Sequence, residues 1–513
     1  MEYMPLAAVW EITMGCNMRC KHCGSSCKAP LPEQLTTEEA LKLCKELGEM
    51  GLKWVTVSGG EALLRDDWNI IAKGLSDNGV TPLLITNGWI VDDDILQKAQ
   101  EAGIESFSMS LDGLKETHDY MRMPGSFDRI MKVYDKMENT SLVKAAITTI
   151  NKRNLVELRE LKKVLIEKGV KLWQLQIGLP MGNLQENSDL TIEPEQVESI
   201  IDFAYDTLND DNITVYLADC LGYYNHKEIA VREKTFGQKN VMWTGCTAGK
   251  RSFGILHDGN ILGCTSIRDS SFVEGNIRQT PIKDIWNNMQ NFSWSRTISK
   301  SKLKGFCNKC GYGDVCLGGC PNTRLTFNKD IYSENQFCLF NIAIKKVKEK
   351  IEKMNDKEEV FNLAKKLVER NEYQIAEIAF LRAIELDDKD IELLNHYGFT
   401  CFMLGNYQDA KKANESALNL EEDNVYANKG MGITLAKLGQ VEEGIKYLKK
   451  STQLTDAGYM HPYYDLAVTL IENGRIDEAR KTIDEAKAKS QQFSEMESAL
   501  IDFIKQMEIT DKL

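Results

Sequence analysis

Several things are scarce in this sequence, and each shortage removes a class of protein. No stretch approaches the roughly 18 to 20 consecutive apolar residues that span a bilayer, and the opening residues Met1 to Leu6 lack a basic segment followed by an apolar one. A cytoplasmic protein with no membrane partner is expected. Basic side chains are outnumbered, 63 against 76 acidic, for a formal net charge of −13. Proteins that grip a nucleic-acid backbone carry the opposite sign, so no nucleic-acid partner is expected. A chain of 513 residues divides into about three domains at ~150 residues each, every one large enough to bury a core without disulfides. Of the 14 cysteines, all but Cys401 precede residue 339, most in tight groups. In a reducing compartment such grouping points to metal ligation.

From Val9 to about Leu190, short apolar runs alternate with longer amphipathic ones, the pattern of βα units feeding a parallel sheet. Strands are predicted at Ala8 to Thr13, Trp54 to Ser58, Leu83 to Thr86, Ser106 to Ser110, Lys144 to Ile150 and Leu172 to Ile177. Helices are predicted at Thr37 to Met50, capped by Thr36 or Thr37, and at Leu155 to Lys168, introduced by Asn154. Six units suggest a partial (β/α)6 barrel, while a doubly wound open sheet fits the same pattern. Residues 1–239 are assigned to this domain.

Residues 240–340 change character, with frequent Gly and Cys, few amphipathic runs and turn signals such as His257-Asp258-Gly259-Asn260. A small domain held together by its ligands is expected there. Residues 341–356 read as a linker helix. Beyond it Ala, Leu, Glu and Lys dominate, with no proline until Pro462.

A 34-residue period runs through residues 357–513. Ala364, Gly398 and Gly432 recur at that interval, with Ala467 one residue late. Ala376, Ala410, Gly444 and Ala479 keep the same phase, as do Ala383, Ala417, Ser451 and Ala486, with turn glycines at Gly405, Gly439 and Gly474. Small residues at this spacing belong where paired helices touch. The pattern resembles tetratricopeptide repeats, about four over residues 357–490, with Ser494 to Glu508 as a capping helix. Cys44 and Cys401, inside helical runs, are expected in cores.

Cys16, Cys20 and Cys23 follow the first strand as CxxxCxxC, with the aromatic His22 before the third and Cys27 offering a second frame. Three thiolates on one loop can hold three irons of a [4Fe-4S] cluster and leave the fourth open. Downstream, the strand from Trp54 ends in Gly59-Gly60-Glu61, and Ser108 to Gly113 reads Ser-Met-Ser-Leu-Asp-Gly. Triad, Gly-Gly-Glu and this segment, in order and at strand ends, resemble the radical S-adenosylmethionine superfamily. The resemblance implies that the open iron chelates the methionine end of S-adenosylmethionine, and that one-electron reduction releases a 5′-deoxyadenosyl radical. It assigns Gly59, Gly60 and Glu61 to the methionyl amino group, and Ser110 and Asp112 to the ribose. The family's usual Pro after Glu is Ala62 here. Thr86-Asn87-Gly88 fits either a cofactor contact or a tight turn, Pro180 to Asn183 is expected to line the cavity, and His118 is read as packed. No residue is singled out as a catalytic acid or base.

The later cysteines are Cys246, Cys264, Cys307, Cys310, Cys316, Cys320 and Cys338, with Gly259 separated from Cys264 by four residues. These intervals resemble the SPASM extension of the same superfamily, which binds two auxiliary [4Fe-4S] clusters; zinc held by CxxC pairs is the plainer alternative. Carried over, one cluster takes Cys246, Cys264 and Cys320 and the other Cys307, Cys310, Cys316 and Cys338. The first set is a ligand short: either an iron stays open to a substrate, the preferred reading, or Cys220 completes the set. With the triad this makes three [4Fe-4S] clusters and S-adenosylmethionine.

The resemblance implies an enzyme that modifies a ribosomally made peptide by crosslinking such as thioether formation, side-chain oxidation or decarboxylation, fed by an electron donor such as flavodoxin or ferredoxin. Many such maturases carry a leader-binding domain ahead of the triad, whereas here the triad begins at Cys16. The repeats are therefore expected to recruit the precursor peptide, through a polar face that includes Tyr397, Asn428 and Tyr463. A sulfatase-maturase-like activity is the alternative within the family, weakened by Thr265 where those enzymes carry an aspartate. A non-catalytic metal-binding scaffold is the alternative outside it.

Overall fold

The computed structural model describes residues 3–510. It divides into two compact units that meet in sequence at Ile342.

The first unit is built on one ten-stranded sheet. Seven strands run parallel in sequence order: β1 (Ala7–Glu11), β2 (Trp54–Ser58), β3 (Thr81–Thr86), β4 (Ser106–Ser110), β5 (Val143–Ile150), β6 (Leu172–Ile177) and β7 (Thr214–Leu217). Parallel strands need crossovers, and helices such as Thr37–Glu49 and Leu158–Glu167 supply them. This is a partial (β/α) barrel. β7 is a strand beyond the six predicted. It pairs Leu172 with Thr214 and Leu175 with Leu217, lengthening the sheet past β6.

The helix at Thr37 begins as predicted. Thr36 accepts from the Glu39 N–H, and the Glu39 carboxylate accepts from the Thr36 N–H, a closed capping box. Asn154 behaves differently from its assigned role. Its side chain does not cap the helix; its oxygen takes the Asn151 N–H, and its amide donates to the carbonyls of Asp112 and Thr149. It ties two strand ends together.

On its other edge β1 pairs in parallel with β8 (Ser252–Ile255), matching Ala7 to Ser252 and Trp10 to Ile255. β9 (Asn260–Leu262) and β10 (Val273–Asn276) then add antiparallel strands. The cysteine-rich segment therefore continues the barrel's sheet. The core lies between sheet and helices, with Trp10, Trp173 and Phe107 wholly enclosed. Trp173 is satisfied there by the Thr148 hydroxyl at 2.8 Å. Among the described residues no helix is long and apolar enough to cross a membrane.

The second unit is helical throughout, in four successive pairs: Lys357–Glu369 with Tyr373–Leu386, Ile391–Met403 with Tyr407–Leu420, Val425–Lys437 with Val441–Leu454, and His461–Glu472 with Ile476–Lys489. A last helix runs from Ser494 to Thr510. All twelve small residues of the three 34-residue columns are buried. Gly405, Gly439 and Gly474 turn the chain at φ of +76°, +83° and +71°, and Asn371 takes the equivalent turn of the first pair at +59°. Asn tolerates that conformation, which is why a search for glycine passes over it. Cys44 and Cys401 are both buried.

A Cβ on Gly432 would lie 2.8 Å from the Gly444 carbonyl oxygen and 2.5 Å from Leu448 Cγ. Replacing Gly432 by alanine is therefore expected to destabilise the array by about 1–3 kcal/mol through overpacking, read as a lower denaturant midpoint. The exposed polar face needs correction. Asn428 is fully buried, its amide donating to the carbonyls of Glu422 and Asn424, and Tyr463 is only 8% exposed against its neighbours' apolar side chains. Tyr397 is half-buried, while Phe399 and Tyr426 are exposed.

Candidate active site and cluster pockets

At the C-terminal ends of the strands, where (β/α) barrels hold their reactive groups, lies a cavity of about 480 Å³. The loop after β1 forms one wall, with Cys16, Cys20, Cys23 and Cys27 all on the lining. That loop is pinned at both ends. The Cys16 N–H donates to the Lys28 carbonyl at 2.9 Å, and the N–H groups of Gly60 and Glu61 donate to Thr13 and Gly15, each at 2.8 Å. Glycine is required at 60 because a Cβ there would lie 2.3 Å from the Gly15 oxygen. On the far side, Asn183 donates from its backbone to the Cys23 carbonyl and from its amide to that of Cys20. Pro180 to Asn183 thus grips the cysteine loop, in addition to placing Met181 on the cavity wall.

The triad sulfurs meet donors. The Met18 N–H lies 3.4 Å from Cys16 Sγ, and Arg122 Nη1 lies 3.7 Å from Cys20 Sγ. A hydrogen bond from Cys27, followed by backbone N–H groups, holds the Cys23 thiol down against burial, whereas burial pushes Cys20 up to about 11. Clustered thiols on a cavity wall, met by N–H donors, fit an iron–sulfur cluster whose sulfurs accept such bonds.

Of the residues carried over for the cofactor, Gly59, Gly60 and Ser110 line the cavity. Glu61 and Asp112 do not. The Glu61 carboxylate is buried, taken up by Leu63 N–H, Thr86 Oγ1 and Asn87 N–H, so it braces the turn after β2. Thr86 and Asn87 thereby act as the brace's partners, and Asn87 also reaches the cavity. Asp112 is fully buried, accepting from the Thr149 N–H at 2.8 Å and from Arg122 Nε at 2.5 Å, with His22 Nε2 at 3.2 Å. Burial pushes this carboxyl up, but Arg122 and His22 outweigh it and hold it at about 2. His118 is buried and accepts the Asp112 N–H, as a packed residue does.

Apart from Thr265, the remaining wall carries groups that no sequence motif singles out. Gln174, Gln176 and Thr149 form a run of amides and a hydroxyl, linked Gln174 to Gln176 and Gln176 to Thr149 at 3.1 Å each. Arg268 reaches across from the cysteine-rich segment to Glu11 at the end of β1 and to Ser25. Burial raises the Glu11 pKa and Arg268 counters it. Thr265, Asp219 and Asn322 complete this side.

The later cysteines fall into two neighbourhoods. Cys307, Cys310, Cys316 and Cys338 line one small cavity, together with Tyr223, Tyr224 and Phe340. Cys246, Cys264 and Cys320 lie within electrostatic reach of each other. Backbone N–H groups of Ala248, Ser266 and Thr323 meet the sulfurs of Cys246, Cys264 and Cys320, and those of Asn335, Gly319 and Asn341 meet Cys307, Cys316 and Cys338. These donors fit clusters in both places. Cys220 lines the main cavity with Cys264 and Cys320, its thiol pushed up to about 12 by burial and then by Cys320. If Cys220 is a ligand, Cys220→Ala is expected to lower iron content by about four per chain; full retention, measured colorimetrically, leaves that iron open.

Two segments match known families: residues 10–165 the Radical SAM superfamily, and residues 246–311 an iron-sulfur cluster-binding domain, SPASM. The chain is 30% identical over 351 residues to the AdoMet-dependent heme synthase of Methanosarcina barkeri, covering 66% of this chain and 98% of that relative. It is 25% identical over 319 residues to the mycofactocin maturase MftC of Mycolicibacterium smegmatis, covering 62% of this chain and 78% of the relative. Streptococcus suis SuiB bound to S-adenosylmethionine shares the fold, with a TM-score of 0.52 at 15% identity over 66% of this chain and 78% of that one. The chain belongs to the Radical SAM superfamily and carries a SPASM domain. Membership implies a [4Fe-4S] cluster and S-adenosylmethionine, and the SPASM domain further iron–sulfur centres.

Proposed function

We propose that this enzyme modifies a ribosomally made peptide, by a crosslink such as a thioether or by another side-chain oxidation. Cys16, Cys20 and Cys23 hold the cluster that engages S-adenosylmethionine, and Cys246, Cys264, Cys320 with Cys307, Cys310, Cys316 and Cys338 hold two more. Bound there, cluster and S-adenosylmethionine supply one-electron cleavage and a radical able to take hydrogen from carbon. Gly59 and Gly60 offer close backbone approach, Ser110 a hydroxyl, and Arg122 a donor to the Cys20 sulfur. A flavodoxin or ferredoxin provides the electron.

The observation carrying the peptide reading is the part of the cavity lining outside the cysteine loop. It presents amides and hydroxyls, Gln174, Gln176, Thr149 and Asn322, suited to a peptide backbone. The arginines on the lining, Arg122 and Arg268, are already paired with Asp112 and Glu11. A tetrapyrrole with several carboxylates would want unpaired cations. The similarity to a heme synthase nevertheless makes tetrapyrrole chemistry the second reading. Sulfatase-type oxidation is disfavoured, since Thr265 is a poor base at neutral pH. Incubating reduced enzyme with S-adenosylmethionine and either a short peptide encoded beside its gene or an iron porphyrin discriminates them. A mass change in the peptide supports the proposal; turnover of the porphyrin alone overturns it.

The helix-pair array, read as tetratricopeptide repeats, is assigned to peptide recruitment. A chain ending at Met354 is expected to cleave S-adenosylmethionine without substrate but to bind precursor peptide at least tenfold more weakly, by anisotropy. Unchanged affinity removes that role.

A further inference from the structure

Arg324 is a costly residue. It sits on the helix Pro321–Asn328 that starts directly after Cys320, and its side chain is among the largest that are fully enclosed. Nη2 donates to the Leu317 carbonyl at 3.3 Å, but Nε and Nη1 have no hydrogen-bond partner. A buried guanidinium with two idle donor groups is unfavourable unless negative charge faces it. Asp330 senses it, yet that carboxylate is committed to Lys304 at 2.7 Å. The acidic groups weighing most on Arg324 are Cys307, Cys320, Tyr223 and Cys246. These come from both cysteine neighbourhoods.

The chain makes room for this cation. Leu317, Gly318 and Gly319 all have positive φ, at +54°, +81° and +69°. A Cβ on Gly318 would lie 2.9 Å from Arg324 Nη1. Arg324 also shares a small cavity with Cys246 and Gly319. The loop between Cys316 and Cys320 is thus folded around a guanidinium that has two unpartnered N–H groups, shares a cavity with Cys246 and lies within electrostatic reach of thiols from both sets.

We infer that Arg324 is a positioning residue shared by the two auxiliary clusters, donating hydrogen bonds to their sulfurs and making both easier to reduce. The inference rests on the proposal that both cysteine sets hold clusters. A thiolate-bound [4Fe-4S] cluster is net negative and becomes one charge more so on reduction, so a fixed cation favours the reduced state. The electron comes from the external one-electron donor, and no proton moves, because arginine remains protonated.

The test is a potentiometric titration of the reconstituted full-length enzyme, followed by electron paramagnetic resonance. Arg324→Gln is expected to shift the reduction equilibrium of both auxiliary clusters toward the oxidised state at least tenfold, about 59 mV for a one-electron couple. The triad cluster should not move, and Arg324→Lys, which keeps the cation, should hold the auxiliary potentials close to those of the wild type. Unchanged auxiliary potentials, or an equal shift at all clusters, overturn the inference. Should Arg324→Gln fail to load iron, 15N-arginine labelling of the wild-type enzyme decides: the inference requires 15N modulation on the auxiliary signals that Arg324→Lys removes, and its absence overturns the role. An iron content of only four per wild-type chain instead refutes the auxiliary-cluster reading itself.

Discussion

Replacing Cys16, Cys20 and Cys23 together by alanine is expected to abolish formation of 5′-deoxyadenosine from S-adenosylmethionine, while iron falls from about twelve to about eight per chain. The two effects belong together because these thiols line the wall to which Gly60 and Glu61 are bonded. The later cysteines lie on other segments with their own N–H donors, so their iron should persist. Retained 5′-deoxyadenosine, followed by chromatography, would exclude the triad as the cofactor site. Loss of all iron would instead show that the three cysteines support the fold as a whole.

The second large effect is expected at Arg122, which the structure makes the keystone behind the triad. Its guanidinium faces Asp112, His22 and the Cys20 sulfur, all in buried surroundings. Arg122→Ala leaves the Asp112 carboxylate enclosed without its counter-charge, a loss of about 3–5 kcal/mol for a broken buried pair. Denaturant unfolding should show it. The double replacement Asp112→Asn with Arg122→Met removes both charges and should cost less than Arg122→Ala alone, because no uncompensated carboxylate remains. A double variant no more stable than the single one would mean that Arg122 acts through packing.

Features whose partners are close in sequence, or that repeat, could be read directly. The six strands carry their own signature because each apolar run is bounded by turn residues, and the twelve small helix-contact positions are visible because the 34-residue spacing repeats them. β7 escaped because Thr214 to Leu217 is too short for an alternation to register. The protein partners of Asp112 could not be read from the sequence: Arg122 is ten residues away, His22 lies ninety residues upstream, and nothing local reveals that they converge. Asn428 misled for a different reason. A polar side chain on a helix reads as exposed, yet backbone carbonyls just upstream take up its Nδ2 donors and allow it to be buried.

The pairing of β1 with β8 has to wait for the ribosome. Ala7 is made 245 positions ahead of its partner Ser252. At about 5–20 residues per second, the edge of β1 facing β8 therefore waits on the order of 10–50 s for the strand that covers it. During that interval its hydrogen-bonding groups are open to the wrong strand. Slow synthesis, or a pause before residue 252, should lower the soluble yield of this protein more than that of one whose first strand finds all its neighbours early.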